Sequence, residues 1–250
     1  SLKHKVMKTF VRQFIVAALL LTSTGASAAC EDSIFNNKFT TDNFKYWEGL
    51  DIGMNGYLNP SYKLGLPNGY EFLELDYARS RTISLNLWQH NFHIYKNYVN
   101  IVTGFGIEWN GYAFRNNSSL ISDTNRVAAV VETRDYSKNK LKMTYLNIPL
   151  MLEFNTNNNN DERSFHIAAG GMFGYNVFQN RLKQEYELDN QTQKIKVKDD
   201  FNINPFRYGL TARIGYGDYT LFANYALSDV FRSNSGPKMN HYSIGLHISL

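Results

Sequence analysis

At 250 residues the chain is sized for one large domain or two small ones, and neither an internal repeat nor a Pro- or Gly-rich linker divides it. Its aromatic content is 15% (17 Tyr and 17 Phe against 3 Trp), yet mean hydropathy is −0.39 and only one short apolar run, 14–21, occurs, which excludes a helical membrane protein built from several runs of about 20 apolar residues. The formal charge of +4 comes from Lys3, Lys5, Lys8 and Arg12 near the start, while all 22 acidic residues lie later, so the concentrated basic surface that a nucleic-acid partner requires is missing.

Those four cations, the apolar run and the small residues Ala26, Ser27, Ala28 and Ala29 form the three-part pattern of a secretory signal peptide over residues 1–29, removed after Ala28 or Ala29. Met7 opens a signal of ordinary length, so residues 1–6 read as a misassigned start or an added remnant. The single cysteine, Cys30, allows no intrachain disulfide, and lipidation there would call for an apolar residue where Ser27 stands. Residues 30–44 are expected to form a periplasmic N-terminal segment ahead of a membrane domain over 45–250.

From residue 45 the recurrent signal is period-two alternation, which sends alternate side chains to opposite faces of a strand. The first segment, 45–57, separates Leu50, Ile52 and Met54 from Asp51, Gly53 and Asn55. Residues 70–78 read as an extension of the second, 80–95, in which Ile83, Leu85 and Leu87 oppose Ser84, Asn86 and Trp88. Phe92 and Ile94 then switch parity, which a bulge after His90 would explain.

The third, 98–110, sets Val99, Ile101, Phe105 and Ile107 against Asn100, Gly104, Gly106 and Glu108. The fourth, 141–154, sets Leu146, Ile148, Leu150 and Leu152 against Asn147, Met151 and Glu153; Pro149 cannot donate to a ladder, so local irregularity is expected. Four more follow at 164–178, 206–216, 219–231 and 241–250. In the last, Tyr242, Ile244, Leu246, Ile248 and Leu250 share one face.

Long connections (58–79, 111–140, 179–205) alternate with short or medium ones, notably at Lys96-Asn97 and Gly217-Asp218. An all-β, antiparallel up-and-down transmembrane barrel of about eight strands gives this pattern when its long loops are extracellular. Three features turn the apolar set toward lipid. Glycines crowd the polar set (Gly53, Gly104, Gly170, Gly174, Gly215, Gly245), as a narrow lumen requires. Aromatic residues of the apolar set gather near strand ends (Trp47, Trp109, Phe206, Tyr208, Tyr216, Tyr219, Tyr242). The chain also stops on an apolar residue of a strand.

The run Tyr145-Leu146-Asn147-Ile148-Pro149-Leu150, the glycine-rich Ala168-Ala169-Gly170-Gly171-Met172-Phe173-Gly174-Tyr175 and the alternating last strand resemble the PorT-like outer-membrane β-barrels of Bacteroidetes-type bacteria, over most of 45–250. The chain departs from outer-membrane proteins generally in ending on Leu250 rather than Phe. The resemblance implies residence in the outer membrane of a Gram-negative bacterium and brings no general catalytic residues. In some members it also implies association with secretion or gliding machinery.

On the inner face the register gathers Asp51, Glu108, Glu153, Arg207 and Arg213, charges that must pair or be hydrated. Glu108 and Arg207 fall toward the extracellular end and Arg213 nearer Glu153, a cross-lumen plug rather than a conduction path. His241 and Ser243 lie two apart on one face, similar to the His-x-Ser of lipid A deacylase barrels, but Ile244 follows and no acid partner can be assigned. His90 and His93 are spaced poorly for a metal, and no cofactor or metal site is expected. The acidic pairs Asp161-Glu162 and Asp199-Asp200 and the alternating Lys194-Ile195-Lys196-Val197-Lys198 read as solvated loops or strand extensions. The expected role is non-enzymatic: a scaffold in outer-membrane lipid whose long loops bind a protein or surface polysaccharide, the alternative being a lipid hydrolase using His241 and Ser243.

Overall fold

The computed structural model describes residues 44–122, 126–131, 135–157 and 159–249. The expected signal peptide, Cys30 and all but the last residue of the expected segment 30–44 lie outside the described residues, as does Leu250.

Alternation yields strands wherever the sequence sustains it: β1 (Gly49–Leu58), β2 (Arg81–Tyr95), β3 (Val99–Ala113), β4 (Ser118–Ser122), β5 (Val127–Val131), β6 (Tyr136–Asn155), β7 (Phe165–Asn176), β8 (Asn180–Leu188), β9 (Gln191–Asp199), β10 (Phe206–Tyr216), β11 (Tyr219–Asp229) and β12 (Asn240–Ser249). Eight of them, β1, β2, β3, β6, β7, β10, β11 and β12, pair antiparallel in that order, and β12 returns to β1. The ring leaves no open edge, which is the condition for a sheet to stand in hydrocarbon.

Bulky apolar residues point outward all around it. Ile52, Leu150, Phe173, Leu210, Leu221 and Leu246 are each about half exposed or more, whereas Asn55, Glu108, Glu153, Arg213 and Ser243 are buried inside. Two lumen glycines show why small residues are needed there. A Cβ on Gly104 would lie 2.8 Å from the Trp47 ring, and one on Gly174 would lie 2.7 Å from Asn147 Oδ1.

Several expectations need correction. β1 begins at Gly49, four residues later than expected, because Phe44–Glu48 turns inward and stoppers the short-turn end. Gln89 Oε1 accepts from the Trp47 and Glu48 amides (2.6 and 3.2 Å), and the Gln89 and Asn91 side chains donate to the Phe44 carbonyl (3.1 and 2.6 Å). Trp47 is therefore not a girdle residue; it packs inside with Val102, Met151, Ala168 and Met172.

β2 shifts register twice: between Asn86 and Trp88, earlier than expected, after which Gln89 and Asn91 face inward while Phe92 and Ile94 face outward, and again between His93 and Tyr95, after His90. Residues 70–78 do not extend β2: they contain a 3-10 turn at Glu71–Leu73 and a single bridge from Leu75 to Phe114. At Pro149 the β3–β6 ladder is interrupted between Thr103–Leu150 and Gly106–Asn147, as a residue without an N–H dictates.

The long connections are also not plain loops. Residues 111–140 hold the β4–β5 hairpin and the first residues of β6, and 179–205 holds the β8–β9 hairpin, which pairs along the upper part of β6. With residues 58–79 and 230–239 they form a crown with its own apolar core, in which Leu73, Leu75, Leu141, Leu182, Phe201 and Phe231 are almost fully buried. Asn139 ties it together, its amide donating to the carbonyls of Asn116 (3.1 Å) and Ser118 (2.7 Å).

Candidate functional site

Inside the ring four of the five expected charges form two separate clusters. Near the short-turn end, Arg213 Nη2 donates to Asp51 Oδ2 at 2.8 Å, and the guanidinium lies 4.3 Å over the Trp47 ring. His247, the direct cross-strand partner of Asp51, shares Asp51 Oδ1 through Nδ1 at 2.5 Å. Toward the loop end, Arg207 Nη2 donates to Glu108 Oε1 at 2.7 Å and lies 4.2 Å over the Tyr145 ring. Asn110 and Asn147 also donate to Glu108, the latter at 2.7 Å.

Glu153 is placed differently from expectation. It accepts from Asn155 (2.9 Å) and Asn100 (3.3 Å), while Arg213 goes to Asp51. The reason is geometric: strand tilt in a closed barrel, not residue number, decides which inward positions on distant strands share a level. With both clusters bonded across the lumen, Trp47 below and the crown core above, the interior is packed. Beside His241 and Arg207 there remains a cavity of only about 10 Å³, about enough for one water.

His241 and Ser243 both face this interior and are buried, away from the lipid-facing surface. His241 Nδ1 is 2.6 Å from the Tyr112 hydroxyl, and Ser243 Oγ accepts from Asn224 Nδ2 at 3.2 Å. His90 and His93 fall on opposite faces: His90 sits among Trp88 and Phe92 outside, and His93 Nδ1 bonds Asn100 Oδ1 at 2.7 Å. No cluster of three or more metal-ligating side chains occurs among the described residues.

An accessible concave surface lies on the crown, a region expected to be loops. An open groove of about 580 Å³ runs between the stretch before β2 (Asp76, Arg79, Arg81), the end of β3 (Phe114, Arg115) and the start of β6 (Lys138, Lys140). Three cations on or beside it are answered by Arg115–Glu74 (2.6 Å), Arg79–Asp76 (3.4 Å) and Lys138–Glu185 (3.0 Å). Lys140 Nζ and Arg81 Nη1 reach only carbonyl oxygens, of Arg79 (2.9 Å) for the first and of Ser80 (3.0 Å) and Tyr77 (3.4 Å) for the second, so the groove retains positive charge. Burial and the nearby Lys142 lower the Lys140 pKa from its ordinary value.

A closed eight-strand ring, apolar outside and bonded by charges within, defines an integral outer-membrane β-barrel protein. Residues 83–232, from β2 to just beyond β11, match the model of the outer membrane protein beta-barrel domain, and the chain belongs to that family. It resides in the outer membrane of a Gram-negative bacterium. β1 and β12 lie outside the match, yet they pair with each other and close the ring. No curated protein and no solved structure was found to match the chain.

Proposed function

We propose that the protein is a non-conducting, non-enzymatic outer-membrane platform that binds an acidic surface component, protein or polysaccharide, through the groove of its extracellular crown. The observation that carries this reading is the crown itself. Loops that served only to join strands would not need a buried apolar core and an open groove of about 580 Å³ with surplus positive charge. Function on such frames concentrates in segments held by a rigid scaffold. The resemblance to PorT-like proteins supports, more narrowly, a place beside secretion or other surface machinery.

Two groove-wall residues, Ala78 and Ser137, are exposed and lie outside the barrel lumen and the crown's apolar core, Ser137 contributing one hydrogen bond, from Oγ to the Glu185 carbonyl (3.1 Å). Ala78→Trp with Ser137→Trp is expected to fill the groove and abolish recovery of a stoichiometric partner from detergent-extracted membranes, with heat-modifiable migration on gels unchanged. Recovery of no such partner by the wild-type protein, or equal recovery by the filled variant, would overturn the reading. So would steady ion conductance in planar bilayers.

A further inference from the structure

Strands β6, β8 and β9 continue above the barrel wall as one sheet, and its two faces differ sharply. On the inner face Leu141 and Leu182 are opposite each other and fully buried. On the outer face the cross-strand rows are Lys142–Arg181–Lys198, then Lys140–Lys183–Lys196, then Lys138–Glu185–Lys194. The lowest row extends through Gly111 of β3 to Arg81 of β2.

Glu185 is the one acid in these rows, and it is engaged by Lys138 at 3.0 Å. Like charges directly opposite on neighbouring strands destabilise a sheet. Lysines on an exposed edge commonly guard against strand-to-strand aggregation, which would account for β9. They do not account for β6 or β8, each of which is paired on both sides. The crowding is felt within the lattice, where Lys142 lowers the pKa of Lys183.

Height on the barrel indicates what answers the charge. Lys142 is one outward position above Thr144, and Thr144 pairs with Trp109, an exposed aromatic at the upper rim of the apolar band. At about 3.4 Å per residue the first cationic row stands roughly 7 Å beyond that rim, and neighbouring rows are separated by a similar distance. In an outer membrane with the long loops outside, this is the level of the outer-leaflet headgroups. Ammonium and guanidinium groups at such spacing suit several phosphate oxygens at once, with Arg181 able to bind two together.

We propose that this outward lattice, formed by Lys140 and Lys142, Arg181 and Lys183, and Lys196 and Lys198, is a binding site for the phosphate groups of an outer-leaflet glycolipid of the lipid A class. The site shares Lys140 with the wall of the groove but does not depend on partner binding there. It also gives the like-charge rows a reason: they are unfavourable without the lipid and neutralised by it.

The test uses the full barrel in phosphatidylcholine vesicles with or without diphosphorylated lipid A, reading the midpoint of heat-modifiable unfolding. The wild-type midpoint should rise by several degrees with the diphosphorylated lipid, less at high salt, and not with dephosphorylated lipid A or millimolar inorganic phosphate. Lys142→Gln, Arg181→Gln and Lys183→Gln together should abolish that rise while leaving the midpoint in pure phosphatidylcholine equal to or above wild type. Should the triple variant not assemble, Lys196→Gln alone, on the edge strand, should reduce the rise. An equal rise in the variants, no rise in the wild type, or an equal rise with dephosphorylated lipid or free phosphate would overturn the proposal.

Discussion

Below Thr144 the outward residues of β6 are Leu146, Ile148, Leu150, Leu152 and Phe154, and the inward ones include Asn147 and Glu153. Above it the outward residues are Lys142, Lys140 and Lys138, and the inward ones are Met143, Leu141 and the single polar Asn139. One unbroken backbone thus changes solvent on both faces at the same height. In the barrel, lipid takes the apolar face and the lumen must pair its charges; in the crown, water takes the charged face and the apolar face packs a core of its own. The crossing marks the outer edge of the hydrocarbon. It also separates two kinds of stability, one resting on bonded charges and the other on apolar burial.

The sharpest way to break this comparison is to remove one charge from the lumen. Arg213→Leu leaves Asp51 buried beside His247 without its strongest partner, and breaking such a pair is expected to lose about 3–5 kcal/mol of barrel stability by denaturant unfolding. Replacing both members, Asp51→Asn with Arg213→Met, should recover much of that loss; no recovery would mean that Arg213 acts mainly by packing on Trp47. Leu182→Ala probes the other regime. It should cost about 2–5 kcal/mol, felt as proteolysis of the β8–β9 hairpin with the barrel midpoint little changed. Simultaneous loss of barrel and crown would show that the two unfold as one unit.

What the sequence disclosed follows the same division. The eight wall strands were legible because lipid outside and a crowded lumen inside impose strict alternation. The crown hairpins were not: Lys194 to Lys198 alternates as cleanly as any wall strand, but a charged face with Ile195 and Val197 opposite suits a solvated edge or an extended loop equally well. Trp47 was misplaced because Phe44–Glu48 has no periodicity, and only the distant Gln89 and Asn91 reveal that it turns inward. The five lumen charges could be named, yet the choice of Asp51 over Glu153 for Arg213 depends on strand stagger, which no local pattern encodes. The spacing of His241 and Ser243 was visible, whereas their partners Tyr112 and Asn224 come from strands far away in sequence.

The finest test of the comparison walks one cation down the outward face of β6. Arginine on the lipid face of a barrel is expected to cost about 2–4 kcal/mol at the bilayer midplane and about 0–1 near the interface. Leu150, 56% exposed and three outward positions below Thr144, should therefore show the larger value as Leu150→Arg, measured by unfolding from vesicles. Thr144→Arg should be close to neutral, because its side chain would reach the level of Lys142 and the Trp109 rim. If Thr144→Arg proved as damaging as Leu150→Arg, the hydrocarbon edge would lie higher than Thr144, and the first cationic row would stand inside the apolar band rather than at the headgroups. Equal, near-zero losses at both positions would instead remove the lipid from that face of β6 altogether.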